Sequence, residues 1–245
     1  MNGGSVSAIR LGAGEPALVF LSGLGDPANW WFTVPTRQEG QPHWNGGTHE
    51  NGPGLATLLG ASGQVIAYDR AGIGSSPAPD HDRTLQELHA ELTDVLDASR
   101  LSRPPVLVGH SLGGLIAYTY ARRHPQALAG LVLLDPTPPP TSPKPRGASP
   151  ERLALTHFGP EEVAPNVLGS LPLLIVAPGT VAAGLEDSEQ ERLNARFLLR
   201  RLKHQELLAT SAASTGVWTD GSRHYIHLDD PESVAAEMTE FKRQL

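Results

Sequence analysis

The chain has 245 residues, a net charge of −7 and no cysteine. Without internal repeats, this length suits one large domain, 1–245, with a substantial core. Interspersed charges offer no basic patch to nucleic acid and no polybasic anchor to a membrane, and the missing cysteines exclude disulfides, thiolate metal sites and a thiol nucleophile. Met1-Asn2-Gly3-Gly4-Ser5 carries neither a basic start nor an apolar leader core, and no apolar run approaches the ~18 residues of a membrane span. A soluble, cytoplasmic protein is expected, with a small molecule as its partner.

Residues 5–11 alternate loosely and read as an edge strand. Ala17-Leu18-Val19-Phe20-Leu21 is a continuous apolar run, as in a strand buried on both faces, and it breaks into the glycine-rich loop Ser22-Gly23-Leu24-Gly25-Asp26. Residues 27–54 follow no period of 2 or 3.6 but hold three of the four tryptophans, Trp30, Trp31 and Trp44, so this long loop is expected to flank a pocket. A strand over 64–68 leads into Asp69-Arg70-Ala71-Gly72-Ile73-Gly74-Ser75-Ser76. Thr84 and Glu87 have capping-box spacing and open a helix whose apolar stripe is Leu85, Leu88, Leu92, Val95 and Leu96.

Val106-Leu107-Val108 is the next buried strand, ending in Gly109-His110-Ser111-Leu112-Gly113-Gly114 and followed by apolar residues at helical spacing until Pro125. Another strand, 128–134, ends at Asp135-Pro136. The proline-rich stretch 136–170, with a short helical segment expected over 151–155, reads as a small cap, because a connection this long is uncommon in a compact domain unless it is functional. A strand over 171–177, a helix from Ser188 to about residue 212 carrying Leu193, Phe197, Leu198, Leu202 and Leu208, and a strand over 214–219 follow. Asp230-Pro231 then caps a terminal helix with Val234, Met238 and Phe241 inward. Alternating strands and helices predict an α/β fold with a mostly parallel central sheet and helices on both faces.

Ser111 sits on a strand-to-helix turn between Gly109 and Gly113, the nucleophile-elbow pattern Gly-x-Ser-x-Gly. A serine hydroxyl needs a base to take its proton as it attacks a carbonyl, and histidine is the suitable one. His224, in a polar loop after the last strand, is the candidate, with His227 its competitor; His110 is a structural neighbour of Ser111 and, with Trp30 and Trp31, a candidate pocket residue. Asp135 is the first candidate for the carboxylate that orients the base, since one crossover helix and one strand after Ser111 return the chain beside it; Glu186, Asp187 and Asp220 are rivals. Backbone N–H groups of Leu24 and Leu112 are placed to hold an oxyanion. His43, His49 and Glu50 lack the further ligand of a metal site, and the glycine-rich turns match neither a phosphate loop nor a dinucleotide fingerprint, so no metal or cofactor is expected.

The order of elements resembles the α/β-hydrolase superfamily through nearly the whole chain. The motifs that carry it are Leu21-Ser22-Gly23-Leu24-Gly25, the 69–76 turn, the elbow, and Ser222-Arg223-His224 followed by Asp230-Pro231-Glu232. The resemblance implies the triad order Ser111, Asp135, His224, and it selects His224 over His227 because a proline opening the final helix lies seven residues on. Three departures stand out. Ser22 replaces a usual histidine and Arg223 a usual glycine, while the common acid position has Ala177-Pro178-Gly179-Thr180, without a carboxylate. The implied activity is serine-dependent hydrolysis of a small or medium, largely apolar ester or lactone through an acyl-enzyme. Acyl transfer, thioester or amide cleavage, and a catalytically slow ligand-binding protein are the alternatives.

Overall fold

The computed structural model describes residues 5–36, 49–140, 150–154, 160–179 and 187–245. The strands are β1 (Ala8–Leu11), β2 (Leu18–Leu21), β3 (Val65–Tyr68), β4 (Val106–His110), β5 (Gly130–Leu134), β6 (Leu173–Pro178) and β7 (Ser214–Thr219). They form one sheet in the order β1-β3-β2-β4-β5-β6-β7, in which β1 is antiparallel to β3 and every other pair is parallel. The helices are α1 (Leu55–Gly60), α2 (Leu85–Ser99), α3 (Leu112–Arg123), α4 (Asp187–Leu208), α5 (Ile226–Asp229) and α6 (Pro231–Arg243). This is the expected α/β architecture.

Period-2 alternation divides each strand from β2 to β6 between two cores. Val19 and Leu21 of β2 pack with Leu85, Leu88 and Leu92 of α2 and with Leu115 and Ile116 of α3. Leu18 and Phe20 of the same strand face Leu55 and Leu59 of α1 and Val234, Met238 and Phe241 of α6. Both faces of β2 to β6 are therefore dry, which is why those strands are written as unbroken apolar runs. Thr84 and Glu87 form the capping box reciprocally, and Asp230 accepts a hydrogen bond from the Ser233 N–H at the start of α6.

Two expectations change. Residues 151–155 form no helix where they are described: Leu153 instead makes a parallel bridge with Arg83, and 155–159 lie outside the described residues. In α4, Leu198, Leu199 and Leu202 are exposed while His204 and Leu207 are buried. The helix turns Arg200 and His204 toward Asp135, and at 100° per residue this rotates residues 198 and 202 away. Of the expected cap, 141–149 and 155–159 lie outside the described residues, as do 37–48 of the long loop, Trp44 and His43 included.

Candidate active site

Strand register brings the site together. Leu21 stands opposite Gly109, so the loop after β2 emerges beside the elbow, and Leu134 stands opposite His110, so Asp135 emerges next to Ser111 on the other side. Ser111 has φ 50° and ψ −114°, a turn that lifts its side chain off the sheet edge at a cost of about 1–3 kcal/mol. Gly113 makes the turn possible: a Cβ there would lie 2.1 Å from the Leu21 carbonyl oxygen and 2.6 Å from that of Ser22. The Leu112 N–H, at the first position of α3, has no acceptor within its helix.

His224 Nε2 lies 3.0 Å from Ser111 Oγ, and His224 Nδ1 lies 2.6 Å from Asp135 Oδ2. The short contact to the carboxylate assigns the proton to Nδ1, leaving Nε2 to accept from the serine hydroxyl. Asp135 is buried, with φ 38°, and its other oxygen Oδ1 meets Arg200 Nε at 2.8 Å and His204 Nε2 at 3.6 Å. Arg200 also donates to the Asp135 carbonyl oxygen at 3.0 Å, and its Nη2 lies 3.2 Å from His224 Nδ1. Burial raises the Asp135 pKa, but the His224 hydrogen bond and the charge of Arg200 outweigh it and hold the carboxyl below its ordinary value. Thr137 Oγ1 stands 3.4 Å from Ser111 Oγ.

Among the rivals, Asp220 is exposed, Glu186 lies outside the described residues, and Asp187 opens α4. His227 is buried away from Ser111, stacked on Trp31 with ring centroids 4.3 Å apart, and burial pushes it down to about 3. Arg223 spans both carboxylate oxygens of Asp229 through its N–H and guanidinium, tying down the residue before His224. His49 Nδ1 lies 3.3 Å from Glu232 Oε2.

The loop after β2 is held from behind. Arg70, 2% exposed, donates to the carbonyl oxygens of Ser22 and Gly23, both at 2.6 Å. Its Nε and Nη2 meet the Glu151 carboxylate at 2.6 and 2.9 Å, and Glu151 Oε1 also accepts from the Gly25 N–H at 2.8 Å. Trp31, read from sequence as a pocket residue, is 1% exposed, and its Nε1 donates to Ser22 Oγ at 2.8 Å. It therefore supports the loop from the core and lines no open pocket, a correction that follows from the polar tip of the indole finding a buried acceptor. Trp30 is half-buried and packs edge-on against Tyr225.

His110 is also enclosed behind the site. Its Nε2 donates to the His224 carbonyl oxygen at 2.9 Å, and its Nδ1 faces Asp26 Oδ2 at 3.8 Å. Burial pushes Asp26 up to about 7, against the opposing charge of Arg70. Arg70, Glu151, Arg200, His204 and Asp26 were not singled out from sequence. Their only signal there was an Arg within the 69–76 turn and an Asp closing the glycine-rich loop.

A serine at a strained elbow, an imidazole within hydrogen-bond reach of it and a buried carboxylate behind that imidazole thus stand together at one edge of a parallel sheet. A model of the alpha/beta hydrolase family matches residues 18–237, and the chain belongs to that family. It is 30% identical over 215 residues to "Putative carbamate hydrolase RutD" of Pseudomonas syringae pv. syringae (strain B728a), covering 84% of this chain and 73% of that protein. YqjL of Bacillus subtilis (strain 168) is 28% identical over 184 residues, 69% of each chain. A thermophilic esterase from Thermogutta terrifontis superposes with a TM-score of 0.67 at 19% identity, covering 98% of this chain and 93% of that one, a likeness of fold. No helix among the described residues is long and apolar enough to cross a membrane.

Proposed function

We propose that this protein is a serine hydrolase, a single domain acting in the cytoplasm on a small or medium, largely apolar ester or lactone. Ser111 Oγ attacks the acyl carbon while His224 Nε2 takes its proton, and Asp135 holds the imidazolium. The C–O bond to the alcohol breaks as His224 returns that proton to the leaving oxygen. Water, deprotonated by the same imidazole, then releases the acid and restores Ser111. The N–H groups of Leu24 and Leu112 receive the oxyanion. The observation that carries this reading is the continuous chain Ser111–His224–Asp135, with contacts of 3.0 and 2.6 Å. Leu24, 40% exposed at the loop tip, supports an apolar acyl or alcohol group.

Carbamates, thioesters and amides present the same carbonyl chemistry, and the name of the Pseudomonas relative places a carbamate in the substrate panel. The test compares Ser111→Ala with the parent on short-chain nitrophenyl esters, lactones and a nitrophenyl carbamate, alongside labelling by a fluorophosphonate. Serine-dependent turnover and labelling of Ser111 in the parent are expected. Equal rates in parent and variant, with no label on Ser111, would overturn the reading in favour of a ligand-binding role.

A further inference from the structure

The residues that fix the loop after β2 include one that follows the elbow by a helix, a strand and less than half of the expected cap. Glu151 is 0% exposed, and the short segment 150–154 around it is pinned by the backbone of Arg83, whose N–H donates to the Arg152 carbonyl oxygen at 2.6 Å and whose carbonyl oxygen accepts from the Ala154 N–H at 2.8 Å. Arg83 is itself locked to Glu91 of α2 at 2.6 Å, and Glu91 accepts from the Ala71 N–H at 3.1 Å. The Glu151 carboxylate is therefore delivered to a defined place. There it grips the guanidinium of Arg70 through two hydrogen bonds and the Gly25 N–H through a third.

We propose that Glu151 and Arg70 form a clamp that positions the oxyanion donor of Leu24, so that the Glu151 segment and the active-site loop are set as one unit. Arg70 holds the carbonyl oxygens of residues 22 and 23, Glu151 holds the N–H of residue 25, and Leu24 is the residue between these anchors. Fixing the peptide groups on both sides determines where the Leu24 N–H points. These bonds join both side chains to the loop and to each other, so both are positioning residues. This inference rests on the acyl-hydrolase reading above. Because an oxyanion donor acts on the transition state more than on the bound substrate, displacing it lowers kcat while leaving KM nearly unchanged.

The experiment measures kcat, KM and Ser111-titrated active sites on a nitrophenyl ester for the parent, Glu151→Gln, Arg70→Lys and the double variant. Glutamine keeps one acceptor oxygen, so the amide nitrogen that replaces Oε2 opposes the Arg70 Nε donor, and lysine cannot span two carbonyl oxygens and a carboxylate. A loss of about 10–10² in kcat per titrated site is expected for each single variant, with KM within about threefold and the double variant no worse than the poorer single one. Inhibition by a trifluoromethyl ketone, which mimics the oxyanion, is expected to weaken in parallel with kcat/KM. Arg70→Lys keeps the buried charge and supplies the measurement if Glu151→Gln fails to fold. Unchanged kcat per titrated site, or kcat losses without weaker ketone inhibition, would overturn the clamp. A parent without Ser111-dependent turnover would instead overturn the hydrolase reading itself.

Discussion

His224 Nδ1 and Asp135 Oδ2 are 2.6 Å apart, although His224 follows the last strand and Asp135 leaves β5 near the middle of the sheet. The loop after β7 folds back across β6 to reach an acid that stands beside Ser111. This geometry makes Asp135→Asn a sharp test, because an amide nitrogen facing Nδ1 favours the wrong imidazole tautomer while keeping the side chain's shape. A fall of about 10³–10⁴ in kcat is expected, measured by steady-state ester hydrolysis. The same substitution at the exposed Asp220 is expected to change kcat by about twofold or less.

Arg200 contributes to the carboxylate's low pKa, and its loss has a definite sign. The folded-state pKa of Asp135 is depressed below 3.8, so its contribution to stability is fully present above that value and is lost as pH falls through the lower folded value. Arg200→Gln removes one cation from Oδ1 and lets burial count for more. The variant is expected to melt below the parent at neutral pH, and the gap is expected to narrow as pH falls below 3.8 and Asp135 takes up its proton in both proteins, as a thermal melt series across the acid range would record. Superimposable curves would remove Arg200 from this role.

The sheet was legible because parallel strands covered on both faces must be apolar at every position, and Leu18–Leu21 and Val106–Val108 are. The elbow was legible because its glycines are forced by backbone contact. The supporting shell was not. Arg70 and Glu151 are 81 residues apart in sequence, and nothing in the local pattern of either names the other. Arg200 and His204 sit in a helix as ordinary polar residues, and only the rotation of α4 reveals which side meets Asp135. Trp31 misled for a related reason: an aromatic in an irregular loop is written alike whether it lines a pocket or fills the core, and the bond to Ser22 decides between them.

Asp26 carries a second pH signature, opposite in sign. Burial raises its pKa from 3.8 to about 7, so the stability it contributes is fully present below the lower value and is lost as pH rises through the upper one. In the protonated acid, Oδ2 can turn a hydrogen toward His110 Nδ1, while Oδ1 accepts from the Tyr225 hydroxyl at 3.3 Å. An asparagine reproduces that donor and acceptor at every pH. Asp26→Asn is therefore expected to melt higher than the parent at pH 8, by an amount worth a few kcal/mol at most, on the order of 1.4 kcal/mol per pKa unit. The advantage should vanish near pH 4. A constant difference between the two curves would show that Asp26 does not titrate in this range.

Gly113 and Gly169 separate steric necessity from backbone preference. At Gly113 an added methyl group would enter the backbone of Leu21 and Ser22, with nearest approaches of 2.1, 2.5 and 2.6 Å, so either α3 or the loop bearing Leu24 must move. Gly169 has φ 62° but open space around a Cβ, and its substitution meets only the left-handed backbone penalty of about 1–2 kcal/mol. Gly113→Ala is expected to lower kcat by at least about 10², since displacing the elbow or the oxyanion loop by ~1 Å disrupts the reacting geometry. Gly169→Ala, although it lowers the melting temperature, should leave kcat per titrated Ser111 unchanged. Active-site titration with a fluorophosphonate distinguishes the two effects: fewer competent sites for a fold defect, and slower turnover at each site for a displaced loop. Equal turnover per site in Gly113→Ala and the parent would mean that the elbow tolerates the methyl group and that the close approach of α3 to β2 does not set the active-site geometry.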